Sequence, residues 1–197
     1  MDAHLKFIFL CGVAYLAGSV NFAILLYKLT GREDPRTRFS GNPGTTNVYR
    51  TAGPFWALVV FLLDVGRSIA VAFLALWMIG LSCLPWVGLT LIIGNRYPFF
   101  HGFQGGKGVA NYFGFCGAIT PVAAGLSILA WGGVFALLRV PFLSSFSMVA
   151  VLTVGMVQAC GTGPMALTGI ILTALFIIVS HRSNLKEFFR LMGNPRK

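Results

Sequence analysis

Long apolar stretches follow one another along almost the whole of this chain, and the short polar breaks between them carry nearly all of its charge. Such a chain cannot hide its apolar residues inside a globule in water. Only 10% of its residues are charged and 56% are hydrophobic, whereas a soluble domain is about a quarter charged. A helical bundle in lipid is the natural fold, because helices satisfy their own backbone polar groups there. The stretches run Leu5–Tyr27, Pro54–Met78 (interrupted by Asp64 and Arg67), Leu84–Gly94, Val109–Ile119, Pro121–Leu138, Phe142–Ala159 and Met165–Ser180. Turn chemistry breaks the chain at Ser82–Pro85, Thr120–Pro121, Val140–Pro141 and Gly161–Pro164. Crossing a bilayer takes about 20 apolar residues, so Val109–Ile119 cannot span without neighbours. The count is seven spans with it, or six if it re-enters.

Charge placement separates the two counts. With seven spans and the N-terminus outside, the inner connections are 28–53, 95–108 and 139–141, followed by the tail from His181. They hold 13 of the 15 Lys and Arg residues, from Lys28 to Lys197. Lys6 alone lies outside, and Arg67 is within a span. That asymmetry is what the positive-inside rule requires, and a six-span count breaks it. The expectation is an all-α integral membrane protein of about seven helices, some short or interrupted, forming one domain over residues 1–197. After Lys6 come some twenty mostly apolar residues, more than the roughly 7–15 of a signal-peptide core, so an uncleaved anchor is expected.

The formal net charge of +10 is first a topology signal and second a hint of anionic partners at the inner face. No nucleic-acid partner is expected, and the sequence leaves the oligomeric state open, a monomer included. Cys11, Cys83, Cys116 and Cys160 fall one per apolar stretch without CxxC spacing, so neither a metal site nor a disulfide framework is expected.

Three polar segments carry the candidate chemistry. Residues 40–50 read SGNPGTTNVYR. Their glycines let backbone N–H groups converge on an oxyanion, and Arg50 offers a fork for phosphate or carboxylate. The plain alternative is a turn with a surface arginine. Residues 94–109 read GNRYPFFHGFQGGKGV. There Gly102, Gly105, Gly106 and Gly108 surround Lys107 just ahead of a helix start, which is how backbone cradles phosphate. It is not a Walker A loop, because Gly108 replaces the required hydroxyl, and ATP hydrolysis is not expected. The third segment, HRSNLKE at 181–187, places His181 and Asn184 one turn apart, able to face one pocket; a polar helix end is the plain reading of such a histidine taken alone. Asp64 and Arg67 have ion-pair spacing, with lining of the pocket floor as the alternative. Ser144, Ser145 and Ser147 open a helix on the inner side, where Ser144 can cap it or touch substrate.

Taken together and in this order, these segments resemble the bacterial acyl-phosphate:glycerol-3-phosphate acyltransferases, the PlsY family. That family's first motif is close to S-G-N-x-G-A-T-N-x-x-R and its second to G-H-x-x-P-x-x-x-G-F-K-G-G-K-G-V-A-T. Its third is close to H-R-x-N-I, matched by HRSNL at 181–185, and its F-D-x-x-K-G stretch is echoed by LDVGRS at 63–68. The resemblance implies a cytoplasm-facing site in the bacterial inner membrane. It implies transfer of an acyl group from acyl phosphate to the 1-hydroxyl of sn-glycerol 3-phosphate, without a cofactor or metal. Membrane lipids and the two substrates are the implied partners. Ser40, His181 and Asn184 then take catalytic roles. Asn42, Asn47, Arg50, Gly102, Gly105, Gly106, Lys107, Gly108 and Ser144 take substrate-binding roles. The chain departs from the family pattern at Thr45 for alanine, Asn95 for histidine and Gln104 for lysine. Arg67 also stands for lysine and Asn111 for threonine.

The chemistry is coherent. Acyl phosphate is an activated mixed anhydride, so orienting two anions supplies much of the rate. Their repulsion must be offset by Arg50, Lys107 and backbone N–H groups. Either His181 or the substrate's own phosphate takes the hydroxyl proton. Ser40 is read as a hydrogen-bond donor rather than as a covalent nucleophile. None of His4, His101 and His181 starts an H-x-x-x-x-D motif of the kind used with acyl-CoA. A transporter or channel for a small phosphate-bearing anion is the rival reading, since interrupted helices suit carriers too.

Overall fold

The structure, a computed structural model, describes residues 2–193; Arg196 and Lys197 of the inner tail lie outside the described residues. Ten α-helices follow in order among the described residues: α1 (Ala3–Ser19), α2 (Phe22–Leu29), α3 (Thr45–Ala52), α4 (Pro54–Met78), α5 (Leu84–Arg96), α6 (Val109–Ile119), α7 (Pro121–Leu138), α8 (Pro141–Cys160), α9 (Pro164–Ser180) and α10 (Arg182–Gly193). Proline occupies the first turn of α4, α5, α7, α8 and α9, where its missing N–H has no intrahelical partner to lose.

Three helices, α4, α7 and α8, are long and apolar enough to cross a membrane alone. The pairs α1–α2 and α9–α10, bent by 40° and 53°, bring the number to five if each pair is one span. The remaining apolar segments, α5 and α6, are short. At 11 residues, α6 is only about 16 Å long.

The expected single span Leu5–Tyr27 is divided. Asn21 ends α1 because its side-chain oxygen accepts from Ile24 N–H at 3.0 Å, capping α2 from within the apolar run. The same amide donates to the Pro43 carbonyl at 3.2 Å, tying the break to the first polar loop.

The short α5 is the bundle's centre. Its Leu84, Val87, Leu91 and Ile92 are fully buried, against Leu10 of α1, Phe115 of α6, Leu152 of α8 and Ile177 of α9. Lipid tails are as apolar as leucine, so association here rests on close packing and small residues. A Cβ at Gly18 would stand 2.1 Å from the Leu91 carbonyl oxygen, and one at Gly94 would stand 2.2 Å from that of Tyr15. Glycine at both positions lets the α1 and α5 backbones touch. A second cluster of Ala23, Tyr27, Val48, Ala57 and Val60 fixes α2 and α3 against α4, with the Tyr27 and Thr51 hydroxyls hydrogen-bonded across it.

Candidate active site

All three polar segments meet at one end of the bundle, around a cavity of about 990 Å³. The first segment enters through α3. Asp34 caps the 3-10 turn Pro35–Thr37 and pairs with Arg36 at 2.6 Å. The Arg36 guanidinium then donates to the carbonyls of His101 at 2.8 Å and Gln104 at 3.3 Å, fastening the first loop to the second. Asn47 is buried, and its amide donates to the carbonyls of Pro35 at 2.7 Å and Arg38 at 3.3 Å. Its Oδ1, with Asn42 Oδ1 and Thr45 Oγ1, is buried without a partner among the described residues, and all three residues line the cavity. Such atoms call for a hydrogen-bonding partner, water or substrate, because a buried unpaired polar atom is costly. Ser40 and Arg50 are exposed and line the rim.

The second segment ends in a positive-φ Gly108, at +85°, which caps α6. A Cβ at Gly108 would lie 2.4 Å from the Ile92 methyl, and one at Gly106 would lie 2.7 Å from the Asn95 amide nitrogen. These glycines are demanded by packing on the end of α5, with Gly106 N–H donating to the Asn95 carbonyl at 2.9 Å. Among the described residues neither α3, entered through Gly44, nor α6 has a side-chain cap. Both N-termini open on the same cavity, so unsatisfied N–H groups and two positive dipole ends face one space.

Lys107 stands between them, half-buried, with its ammonium donating to Asn184 Oδ1. Burial, aided by nearby Arg96, pushes the lysine down to about 8. His181 lies just past the end of α9, 4% exposed, with its ring edge-on to Phe146. Its Nδ1 is 2.9 Å from the Ile177 carbonyl. A carbonyl only accepts, so Nδ1 carries the proton and Nε2 is a free acceptor. Burial, together with Lys107 and Arg96, pushes the imidazole down to about 4. His181 is therefore neutral near pH 7.

Below the cavity lies the expected ion pair, of which Asp64 alone lines the space. Arg67 donates to Asp64 at 2.9 Å, and both are buried. It also donates to Asn111 Oδ1 and to the Val20 carbonyl, left free at the α1–α2 break. Asn111 accepts from Ser68 at 3.0 Å as well. Two departures from the family pattern, Arg67 and Asn111, are thus bonded to each other.

Some sequence-assigned residues stand elsewhere. Gly102 is left-handed, at φ 65°, and opens on a separate cleft with Lys28, Arg32 and His101. Gly105 packs against the Asn95 carbonyl and the Pro98 ring rather than lining the cavity. Ser144 is fully buried, back-bonded to Val140 at 3.2 Å, and neither caps α8 nor faces the cavity; Ser145 lines it instead. The sequence reading also missed the cavity's apolar half, built from Phe61, Phe113, Ile128, Trp131, Phe142 and Met148. Arg139, in left-handed conformation at φ 56°, and Glu187 line it as well.

A family model described as glycerol-3-phosphate acyltransferase matches residues 8–191. The glycerol-3-phosphate acyltransferase of Pseudomonas paraeruginosa is 39% identical over 178 residues, covering 90% of this chain and 93% of its own. That of Methylobacillus flagellatus is 38% identical over 179 residues, covering 88% and 89%. Among solved structures, PlsY (YgiH), an integral membrane glycerol 3-phosphate acyltransferase in its glycerol 3-phosphate form, matches with TM-score 0.85. It is 34% identical, over 93% of this chain and 92% of that one. The lysophosphatidic acid form gives TM-score 0.83 at 33% identity with the same coverage. This all-α integral membrane protein belongs to the glycerol-3-phosphate acyltransferase family.

Proposed function

We propose that this enzyme transfers a fatty acyl group from acyl phosphate to the 1-hydroxyl of sn-glycerol 3-phosphate, as one catalytic unit in the bacterial inner membrane. The observation that carries the reading is the cavity itself. Two uncapped helix N-termini, Arg50 and Lys107 gather at one end and aromatic side chains at the other. Anions suit the first end and an acyl chain the second. The kinship with an enzyme solved in glycerol 3-phosphate and lysophosphatidic acid forms supports it, and sets the anion-carrier alternative aside. The clustering of 13 basic residues on one side of the expected topology supports an N-terminus outside and a cytoplasm-facing site.

In this reading Lys107, Gly108 and the first turn of α6 hold the phosphate of glycerol 3-phosphate. Arg50, Ser40 and the first turn of α3 hold the acyl phosphate. Asn42 and Asn47 offer their unpartnered oxygens to hydroxyl donors, while Asn184 keeps Lys107 in place. His181 Nε2 accepts from the 1-hydroxyl and aims its oxygen at the acyl carbon. The C–O bond forms, the acyl–phosphate C–O bond breaks, and inorganic phosphate leaves. An imidazole with so little proton affinity orients better than it deprotonates, so the leaving phosphate takes the proton. Orientation supplies the larger share of the barrier reduction. Phe61, Phe113, Trp131 and Met148 hold the acyl chain.

The test is donor choice. Purified protein given glycerol 3-phosphate and acyl phosphate should form lysophosphatidic acid and phosphate in equal amounts. Acyl-CoA in place of acyl phosphate should give none, and equal use of both donors would contradict the reading.

A further inference from the structure

Helix α10 differs from the other apolar-rich helices of the chain. Of the three helices long enough to span alone, α4 carries its charged pair Asp64 and Arg67 inward, whereas α10 sorts its residues into three faces. Arg182, Lys186 and Arg190 recur every fourth residue and form one basic stripe. Leu185, Phe189 and Met192 form an adjoining apolar face, with Phe189 66% and Met192 65% exposed. The third face, carrying Asn184 and Phe188, is a wall of the cavity. The helix leaves α9 at 53°, with His181 alone between the two. A polar stripe beside an apolar face, at the end of a spanning helix, is the pattern of a helix lying in the membrane interface.

Among the described residues, two side-chain ties hold α10 to the bundle: Lys107 donates to Asn184, and Phe188 meets Phe142 edge-on at 5.7 Å. The tilt of α10 therefore bears on the Lys107 ammonium, through Asn184, and on the cavity wall, through Phe188. We propose that α10 is an anionic-lipid-responsive wall of the active site. Its basic stripe binds the headgroups of anionic lipids in the surrounding leaflet, its apolar face sits among their chains, and this seating holds the third face closed on the cavity. The occupant is the bilayer surface itself, chosen by the complementarity of three cations to anionic headgroups and by the position of α10 at the end of a spanning helix. This inference rests on the acyl-transfer reading of the cavity.

The experiment uses the full chain in nanodiscs of zwitterionic phosphatidylcholine, with or without phosphatidylglycerol, at saturating acyl phosphate and glycerol 3-phosphate. Wild-type kcat should rise by at least about threefold with the anionic lipid, and high salt should erase the rise. Lys186→Gln with Arg190→Gln should keep the zwitterionic kcat and lose the rise. The charge-keeping pair Lys186→Arg with Arg190→Lys should retain it. A second readout needs no turnover: tryptophan at Phe189→Trp, read as a difference spectrum, should be quenched by brominated anionic lipid. Adding Lys186→Gln and Arg190→Gln should remove that quenching. Product formed at the same kcat in every membrane and variant overturns this proposal, as does a Phe189→Trp signal that brominated lipid leaves unquenched. Absence of product in all membranes overturns the acyl-transfer reading instead, and the quenching then still decides the seating of α10.

Discussion

Lys107 shows how much of one side chain's chemistry its neighbours set. Its charge was legible in the sequence, beside glycines and ahead of a helix. Its depressed proton affinity was not, because burial and the nearness of Arg96 arise only in three dimensions. A lysine titrating at about 8 is cationic below that pH and neutral above it. The kcat/KM for glycerol 3-phosphate should therefore fall as pH rises through about 8, and Lys107→Arg should carry the plateau to higher pH. Lys107→Ala should raise the KM for glycerol 3-phosphate by about 10- to 100-fold, the equivalent of one lost charge-assisted hydrogen bond. His181 behaves oppositely. With its imidazole at about 4, it stays neutral across the working range. His181→Gln should lower kcat by about a hundredfold through lost orientation of the hydroxyl, yet leave the shape of the pH profile between pH 5 and 7 unchanged. A profile whose acid limb disappears in that variant would show that His181 does titrate there. Ser144 and Ser145 mark the finest scale at which the sequence reading strayed. Both begin a helix, and one step of about 100° around its axis decides which one faces the cavity. No signal in the sequence chooses between them.

Elements were legible where proline or a charge marked an end. The boundaries at Pro54, Pro121, Pro141 and Pro164 coincide with helix starts in the structure. The break inside the first apolar run was missed because Asn21 is one polar residue in a long hydrophobic stretch. Its capping bond and its tie to Pro43 become visible only when the first loop folds back onto it. Asn21→Ala should cost about 1 kcal/mol of stability, the usual value of a cap, measurable as a shift in thermal unfolding in detergent. The same substitution should loosen the first loop and raise KM for acyl phosphate. The α1–α5 seam invites a harsher change. A Cβ at Gly94 would lie 2.2 Å from the Tyr15 carbonyl oxygen, a backbone atom that cannot move aside alone. Gly94→Ala should destabilise by about 1–3 kcal/mol, as overpacked cores do, and lower the unfolding temperature accordingly.

For the whole molecule, the polar half of the cavity was legible and the apolar half was not. Three motifs rich in glycine, asparagine and basic residues stand out against an apolar chain. Phe61, Phe113, Ile128 and Trp131 do not, since a residue that lines an acyl groove and one that faces lipid have the same composition and periodicity. Ile128→Trp should narrow the groove and lower kcat/KM more for long acyl phosphates than for short ones, a difference read from a chain-length series. The central claim is that this one cavity holds both phosphates together, so that the acyl group passes directly between them without a covalent stop at Ser40. Initial-rate kinetics with both substrates varied test that claim most directly. Reciprocal plots that intersect, as a ternary complex requires, are the expected result; parallel lines with an acyl group trapped on the protein would contradict it.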